Sequence, residues 1–154
     1  MALFNGFSVS LCDPRPEYTA GWNVAGVNHL AGMPDDVVRA FAPDLRSAIV
    51  AVSHDPKLDD LALLEALHSP AFYIGAIGSR RNSQLRRERL IEHFGESEAS
   101  LQRLHGPIGI YIGSKTPAEI AVSVMAEILA AKNDVTLPGA VSVTRAKEAA
   151  QLAL

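Results

Sequence analysis

Two short runs constrain this chain more than anything else in it. Residues 47–53 (SAIVAVS) and 72–77 (FYIGAI) are small, β-branched and apolar, with almost no polar alternation. A strand with one face in water alternates polar and apolar residues. One that does not is covered on both faces, the habit of parallel sheets lying between helices. Each run is followed by a helical pattern. After 47–53, the turn His54-Asp55-Pro56 leads into LALLEALH, where Leu61, Leu64 and Leu67 share a face and Asp59 or Asp60 is placed to cap. After 72–77, Gly78 and Ser79 open a basic helix extending to about Phe94. Strands alternating with helices in this way predict right-handed βαβ crossovers. The expected fold is α/β with three layers, a mostly parallel sheet carrying helices on both faces.

The flanks extend the pattern. Residues 7–12 (FSVSLC) read as a strand stopped by the turn chemistry of Asp13-Pro14-Arg15-Pro16, and residues 24–30 as a weaker one. Pro34 suits the first turn of a helix, DDVVRAF. Beyond Phe94 come a polar break at 95–97, a short helix ending near Leu104, and the glycine-rich stretch HGPIGIYIGSKTPAE at 105–119. Thr116 as N-cap, Pro117 at the first helical position and Glu119 three residues on make a capping box. The helix it starts has Ile120, Ala121, Val124, Met125, Ile128 and Leu129 on one stripe, while Ala118, Val122 and Ala126 keep the rest small, as suits packing flat on a sheet. The tail holds a Pro-Gly break and an Ala-rich helix, TRAKEAAQLAL. The chain thus divides into a domain at 1–135 and a helical extension at 136–154. Ligands of parallel sheets bind beyond the carboxyl ends of the strands, so the loops after Cys12, Ser53, Ile77 and Ile112 are the candidates.

Composition narrows the ligand classes. A chain of 154 residues, 48% hydrophobic and 20% charged, is about one ordinary globular domain. Its net charge of −3 argues against general binding to nucleic acid or anionic membrane. No apolar run approaches the roughly 20 residues of a membrane span, and MALFNGFSVS lacks the features of a secretory signal. The single cysteine, Cys12, excludes an intrachain disulfide and a cysteine-rich metal site, which suits a cytoplasmic location. Cys12 itself reads as a small buried apolar residue, since activation needs a base or helix dipole that the sequence does not supply.

Four loops carry groups with chemistry. Asp13 follows a strand, where a carboxylate receives ribose hydroxyls or bonds its own turn. His54 and Asp55 follow another; a histidine there exchanges a proton near neutral pH or ligates a metal. In GAIGSRR, Gly75 and Gly78 let backbone approach a ligand. Ser79 and the amides after it form a helix N-terminus that attracts anions, and Arg80 and Arg81 add donors suited to phosphate. Arg86, Arg87 and Arg89 read as a solvated face or an interface. In the 105–119 stretch, His105 can donate to an oxyanion or bind metal. Gly106, Gly109 and Gly113 remove Cβ atoms where the chain bends or something lies against it. Ser114, Lys115 and Thr116 lead into a helix whose amide end can hold a negative group. Neither G-x-x-x-x-G-K-[ST] nor G-x-G-x-x-G occurs, so the P-loop and the dinucleotide fingerprint are both absent.

SHDPKLDDLALLEAL, PAFYIGAIGSRR and HGPIGIYIGSKTPAEIAVSVMAEI together resemble the signature blocks of the XdhC/CoxI family, the xanthine dehydrogenase accessory proteins, over about residues 6–132. The resemblance implies a Rossmann-type domain corresponding to the C-terminal half of family members. It implies a role in maturing molybdenum hydroxylases: binding the molybdenum cofactor (molybdopterin), assisting its sulfuration with a cysteine desulfurase, and handing it to the apo-enzyme, commonly as a dimer. The loop chemistry agrees with such a ligand. Residues 78–81 and 114–116 suit its phosphate; His54, Asp55 and His105 suit the pterin or the oxo groups of the metal. No turnover is required of such a protein.

Two departures from the family pattern stand out. Family members usually carry a separate N-terminal domain, and their Rossmann half opens on a strand and a Gly-rich turn. The residues MALFNGFSVSLCDPR read instead as the end of a first crossover helix and a second strand. The first βα unit is therefore expected to be missing, with strand edges left exposed. Two other functions stay open. One is an NAD(P)-dependent oxidoreductase, motivated by Asp13 and the α/β pattern; the other is a non-catalytic domain acting through dimerisation or partner docking.

Overall fold

The computed structural model describes residues 1–146. Along them run β1 (Val9–Leu11), α1 (Pro16–Thr19), β2 (Val27–His29), α2 (Pro34–Phe41), β3 (Ala48–Ala51), α3 (Pro56–Leu67), β4 (Tyr73–Ala76), α4 (Arg80–Phe94), α5 (Glu98–Leu101), β5 (Leu104–His105) and α6 (Pro117–Lys132). Every pairing between these strands is parallel, and the architecture is α/β and Rossmann-like, as the alternation predicts.

The sheet comes in two pieces rather than one. β1 pairs with β2, and β3, β4 and β5 pair in that order. A doubly wound sheet has the order 3-2-1-4-5-6. The pieces β2-β1 and β3-β4-β5 correspond to its two wings, and among the described residues no strand lies between β1 and β3. Burial follows from this. β4, flanked on both sides, is buried at every residue, whereas β3 is fully buried only at Ala51.

Local chemistry accounts for the helix starts. Asp55 caps α3 by accepting from the Lys57 amide at 3.0 Å, which corrects the expected cap at Asp59 or Asp60. Ser79 caps α4, and Thr116 with Glu119 forms the expected capping box on α6. Two layers of core sandwich the larger sheet. On one face Val38, Leu63, Ala66 and Leu90 pack on Ala51, Ile74 and Ala76. On the other, Met125 and Ile128 of α6 meet Tyr73 and Ile108, with Phe7, Ala48 and Val50 beside them.

A second difference concerns the last strand. It is Leu104–His105, paired with Ile74 and Gly75, and not a run ending at Ile112. Gly106 and Pro107 follow it with a cis bond between them, and Pro107 has no N–H to continue the ladder. Ile110 and Tyr111 pair instead with the tail: Ile110 bridges Ser142, and the Tyr111 amide donates to the Val141 carbonyl at 2.7 Å. The expected helix TRAKEAAQLAL lies mostly outside the described residues. Among the described residues no helix is long and apolar enough to cross a membrane.

Candidate functional site

The loops after β3 and β4 are fastened together by buried charge. Asp59, on the first turn of α3, accepts from the Ser53 amide at 3.1 Å and the Ser53 hydroxyl at 2.6 Å. Its other oxygen takes Arg86 Nη2 at 3.0 Å. Arg86 Nε reaches Asp60 at 3.2 Å, and Nη1 donates to the Ile77 carbonyl at the end of β4. Arg89 donates twice to Asp60. These arginines are not a solvated face. Arg86 is only 6% exposed, and a guanidinium there persists because each side of its fork meets a carboxylate or carbonyl. Arg87 is half-buried and holds Glu98 and the Leu101 carbonyl.

The neighbouring loops line up along the same rim. After β1, both oxygens of Asp13 are taken by the Arg15 guanidinium, at 2.8 and 2.7 Å. This pairing, stronger than the opposing effect of burial, holds the Asp13 carboxyl below the usual aspartate value. Asp13 and Ser53 line the same cavity, which places the loops after β1 and β3 on one side of the sheet. His54 is exposed, with a left-handed backbone (φ 60°). Gly78 and Gly106 both abut Ser83 of α4, whose buried hydroxyl has no partner among the described residues. Asp13, Asp55, Gly78 and Gly106 thus mark one rim. Ser79 and Arg81 stand exposed at its α4 corner, with Arg80 between them.

Other predicted residues have different surroundings. A Cβ on Gly75 would collide with Ile108 and Tyr73, and one on Gly109 with Ser123, so helix and loop fill those spaces. Gly113 faces open space. At the α6 N-terminus the Glu119 carboxylate already accepts from the amides of Lys115, at 2.6 Å, and Thr116, at 2.9 Å, while the Ser114 hydroxyl bonds the Glu119 carbonyl. That amide end holds a negative group belonging to the chain.

His105 belongs to a cluster that sequence reasoning missed. Its ring stacks on Tyr73 at 4.5 Å and its Nδ1 lies 3.1 Å from Glu127 of α6. Glu127 also accepts from the Tyr73 hydroxyl and the Gly109 amide, both at 2.6 Å. Burial pushes the Glu127 carboxyl up, but these three donors outweigh it and keep its pKa below the ordinary glutamate value. Burial, reinforced by the Glu127 charge, pushes the Tyr73 phenol far up, so it remains a donor. The available signal was a lone acid in the apolar run IAVSVMAEILAA, and likewise Asp59-Asp60 facing Arg86 and Arg89.

A cavity of about 390 Å³ opens between β1 and β3. Ser10, Cys12 and Asp13 line one side, Val50 and Ser53 the other, and Val38 of α2 lies against it. Burial and the adjacent Asp13 charge raise the Cys12 thiol pKa, so the sulfur is an uncharged lining group.

This parallel fold, with its rim at the carboxyl ends, has its counterpart in known proteins. The family described as the XdhC Rossmann domain matches residues 1–128. The chain belongs to this family. Among relatives, the uncharacterized protein YqeB of Escherichia coli (strain K12) is 45% identical over 76 residues, 49% of this chain and 14% of the relative. A protein of Bacillus subtilis (strain 168) described as a probable xanthine dehydrogenase subunit is 30% identical over 138 residues, 89% of this chain and 39% of that protein. The molybdenum cofactor insertion chaperone PaoD of E. coli (strain K12) is 32% identical over 85 residues, 55% of this chain and 26% of PaoD. This XdhC domain spans 39% or less of the length of each. A crystal structure of a xanthine dehydrogenase from Bacillus halodurans shares the fold, with a TM-score of 0.70 at 23% identity, covering 94% of this chain and 40% of that one.

Proposed function

We propose that this XdhC domain binds the molybdenum cofactor as cargo and takes part in its sulfuration and insertion into a xanthine dehydrogenase-type molybdenum hydroxylase. The reading rests on one observation above others: a family member presents its strand-end loops along one rim, with a capped helix N-terminus and two arginines at the corner. The pterin's phosphate suits the α4 end, where Gly78, Ser79, Arg80 and Arg81 flank the start of the capped helix. His54 and Asp55, next along the rim, suit the polar edge of the pterin. The α6 end is the weaker phosphate cradle, because Glu119 already lies on its amides. Cooperation with a cysteine desulfurase, dimerisation and a cytoplasmic setting are part of the proposal and rest on the family resemblance.

Cargo analysis tests it directly. The full chain, purified from cells that make the cofactor, is expected to carry pterin and molybdenum well above an unrelated control protein. Replacing Arg80 and Arg81 together by Ala is expected to lower that content at least tenfold while leaving the circular dichroism unchanged. Pterin at control level in the unaltered chain would overturn the reading. Titration with NAD(H) and NADP(H) is expected to be flat, since both oxygens of Asp13, the acid available for a ribose, are held by Arg15.

A further inference from the structure

We propose that the small cavity between α4 and the ends of β4 and β5 binds one water molecule on the hydroxyl of Ser83, and that this water joins the loops after β4 and β5 to α4. Ala76, Ser83, Arg86, Arg87, Leu104 and Gly106 line a space of about 10 Å³. A water needs roughly 10–15 Å³ on this measure, so the space holds one oxygen atom, and a phosphate or a pterin ring is too large for it. Ser83 is 6% exposed, and its Oγ meets neither solvent nor a hydrogen-bond partner among the described residues. A serine within a helix commonly bonds the carbonyl one turn back. The Ser79 carbonyl accepts the Ser83 amide at 2.9 Å but not the hydroxyl. The side chain turns instead toward two glycines: a Cβ would stand 3.6 Å from Oγ at Gly78 and 3.4 Å from it at Gly106. A hydroxyl stripped of water there, with no partner in return, destabilises the fold.

Two further groups on the cavity wall have bonding capacity to spare. Arg86 Nη1 gives one hydrogen to the Ile77 carbonyl at 3.2 Å and carries a second. The Ala76 carbonyl accepts from the Ile108 amide at 3.3 Å and keeps another lone pair. The Cβ position of Gly78 lies 4.0 Å from Arg86 Nη1, and that of Gly106 lies 3.9 Å from the Ala76 oxygen. Both groups therefore border the space that Ser83 Oγ faces, and three polar partners are what a bound water usually has. Gly106 is exposed, which gives water a way in. An ion fits less well. The guanidinium groups of Arg86 and Arg87 repel a cation. Each is already matched, Arg86 by Asp59 and Asp60 and Arg87 by Glu98, so an anion would bring an uncompensated charge.

A high-resolution crystal structure of the full chain tests the site. One ordered water is expected within about 3.2 Å of Ser83 Oγ and of either Arg86 Nη1 or the Ala76 carbonyl. A cavity without density, or a Ser83 hydroxyl bonded directly to protein, would overturn the proposal. Thermal melting supplies a sign in solution. With the water in place, Ser83→Ala takes away one of its anchors and is expected to lower the melting temperature by about 2–4 °C. In a dry cavity the same change only removes an unsatisfied hydroxyl, so an unchanged or raised melting temperature would count against the water equally. Amide hydrogen exchange reads the link between the loops. In Ser83→Ala, Gly78 and Gly106 are expected to exchange about tenfold faster than in the unaltered chain, with the amides of β3 unaffected. Unaltered rates at both glycines would mean that no water joins the loops, and the proposal fails.

Discussion

Arg86 has an acceptor on each branch of its guanidinium, and two of them are buried carboxylates. Removing it leaves the buried Asp59 carboxylate with the Ser53 amide and hydroxyl but no cation, and Asp60 with Arg89 alone. Arg86→Met is expected to cost about 3–5 kcal/mol in a urea titration, with a loss below about 1 kcal/mol contradicting the buried-pair reading. Glu127 gives a pH-dependent counterpart. Its folded pKa lies below the ordinary 4.5, so its contribution is complete above that value and is lost as pH falls through the lowered one. Glu127→Gln is expected to be about 1–3 kcal/mol less stable at neutral pH. That gap should narrow when melting is followed down to pH 3; a gap independent of pH would mean that the carboxylate charge contributes nothing. Neither cluster was legible from the sequence, because Asp59 meets Arg86 across 27 positions and His105 meets Glu127 across 22.

At the scale of elements, the starts of α4 and α6 were legible, while the cap of α3 and the strand ends were not. The capping box on α6 needs only Thr116 and Glu119, which lie within one turn. The end of the sheet depends on partners: the apolar run after Gly109 could have been a strand, yet it pairs with the tail at Val141 and Ser142. The glycines of that loop are likewise unequal. Gly109 (φ 95°) has the backbone of Ser123 and Val124 3.2 Å from where a Cβ would sit, while Gly113 (φ 75°) has nothing within 4 Å. Gly113→Ala is expected to cost about 1 kcal/mol, for the left-handed backbone alone. Gly109→Ala must also displace α6 and is expected to cost at least twice as much by urea titration; equal losses would mean that α6 yields freely to the new methyl group.

Over the whole molecule, the two half-sheets differ in what holds them. β4 lies between β3 and β5 and under two core layers, whereas among the described residues β1 and β2 pair only with each other. The amides of β1 and β2 are therefore expected to exchange faster than those of β4 in the native state; equal protection would mean that the halves unfold as one unit. By itself the sequence determined the parallel α/β class, the capped starts of α4 and α6, and the family. These follow from apolar periodicity and from residues within one turn of each other, so they survive without knowledge of distant contacts. Only the tertiary structure decided that Arg86 joins two rim loops and that an open slot divides the sheet. Each of these depends on which distant groups meet, and burial then makes an unmatched charge or backbone donor too costly to leave alone.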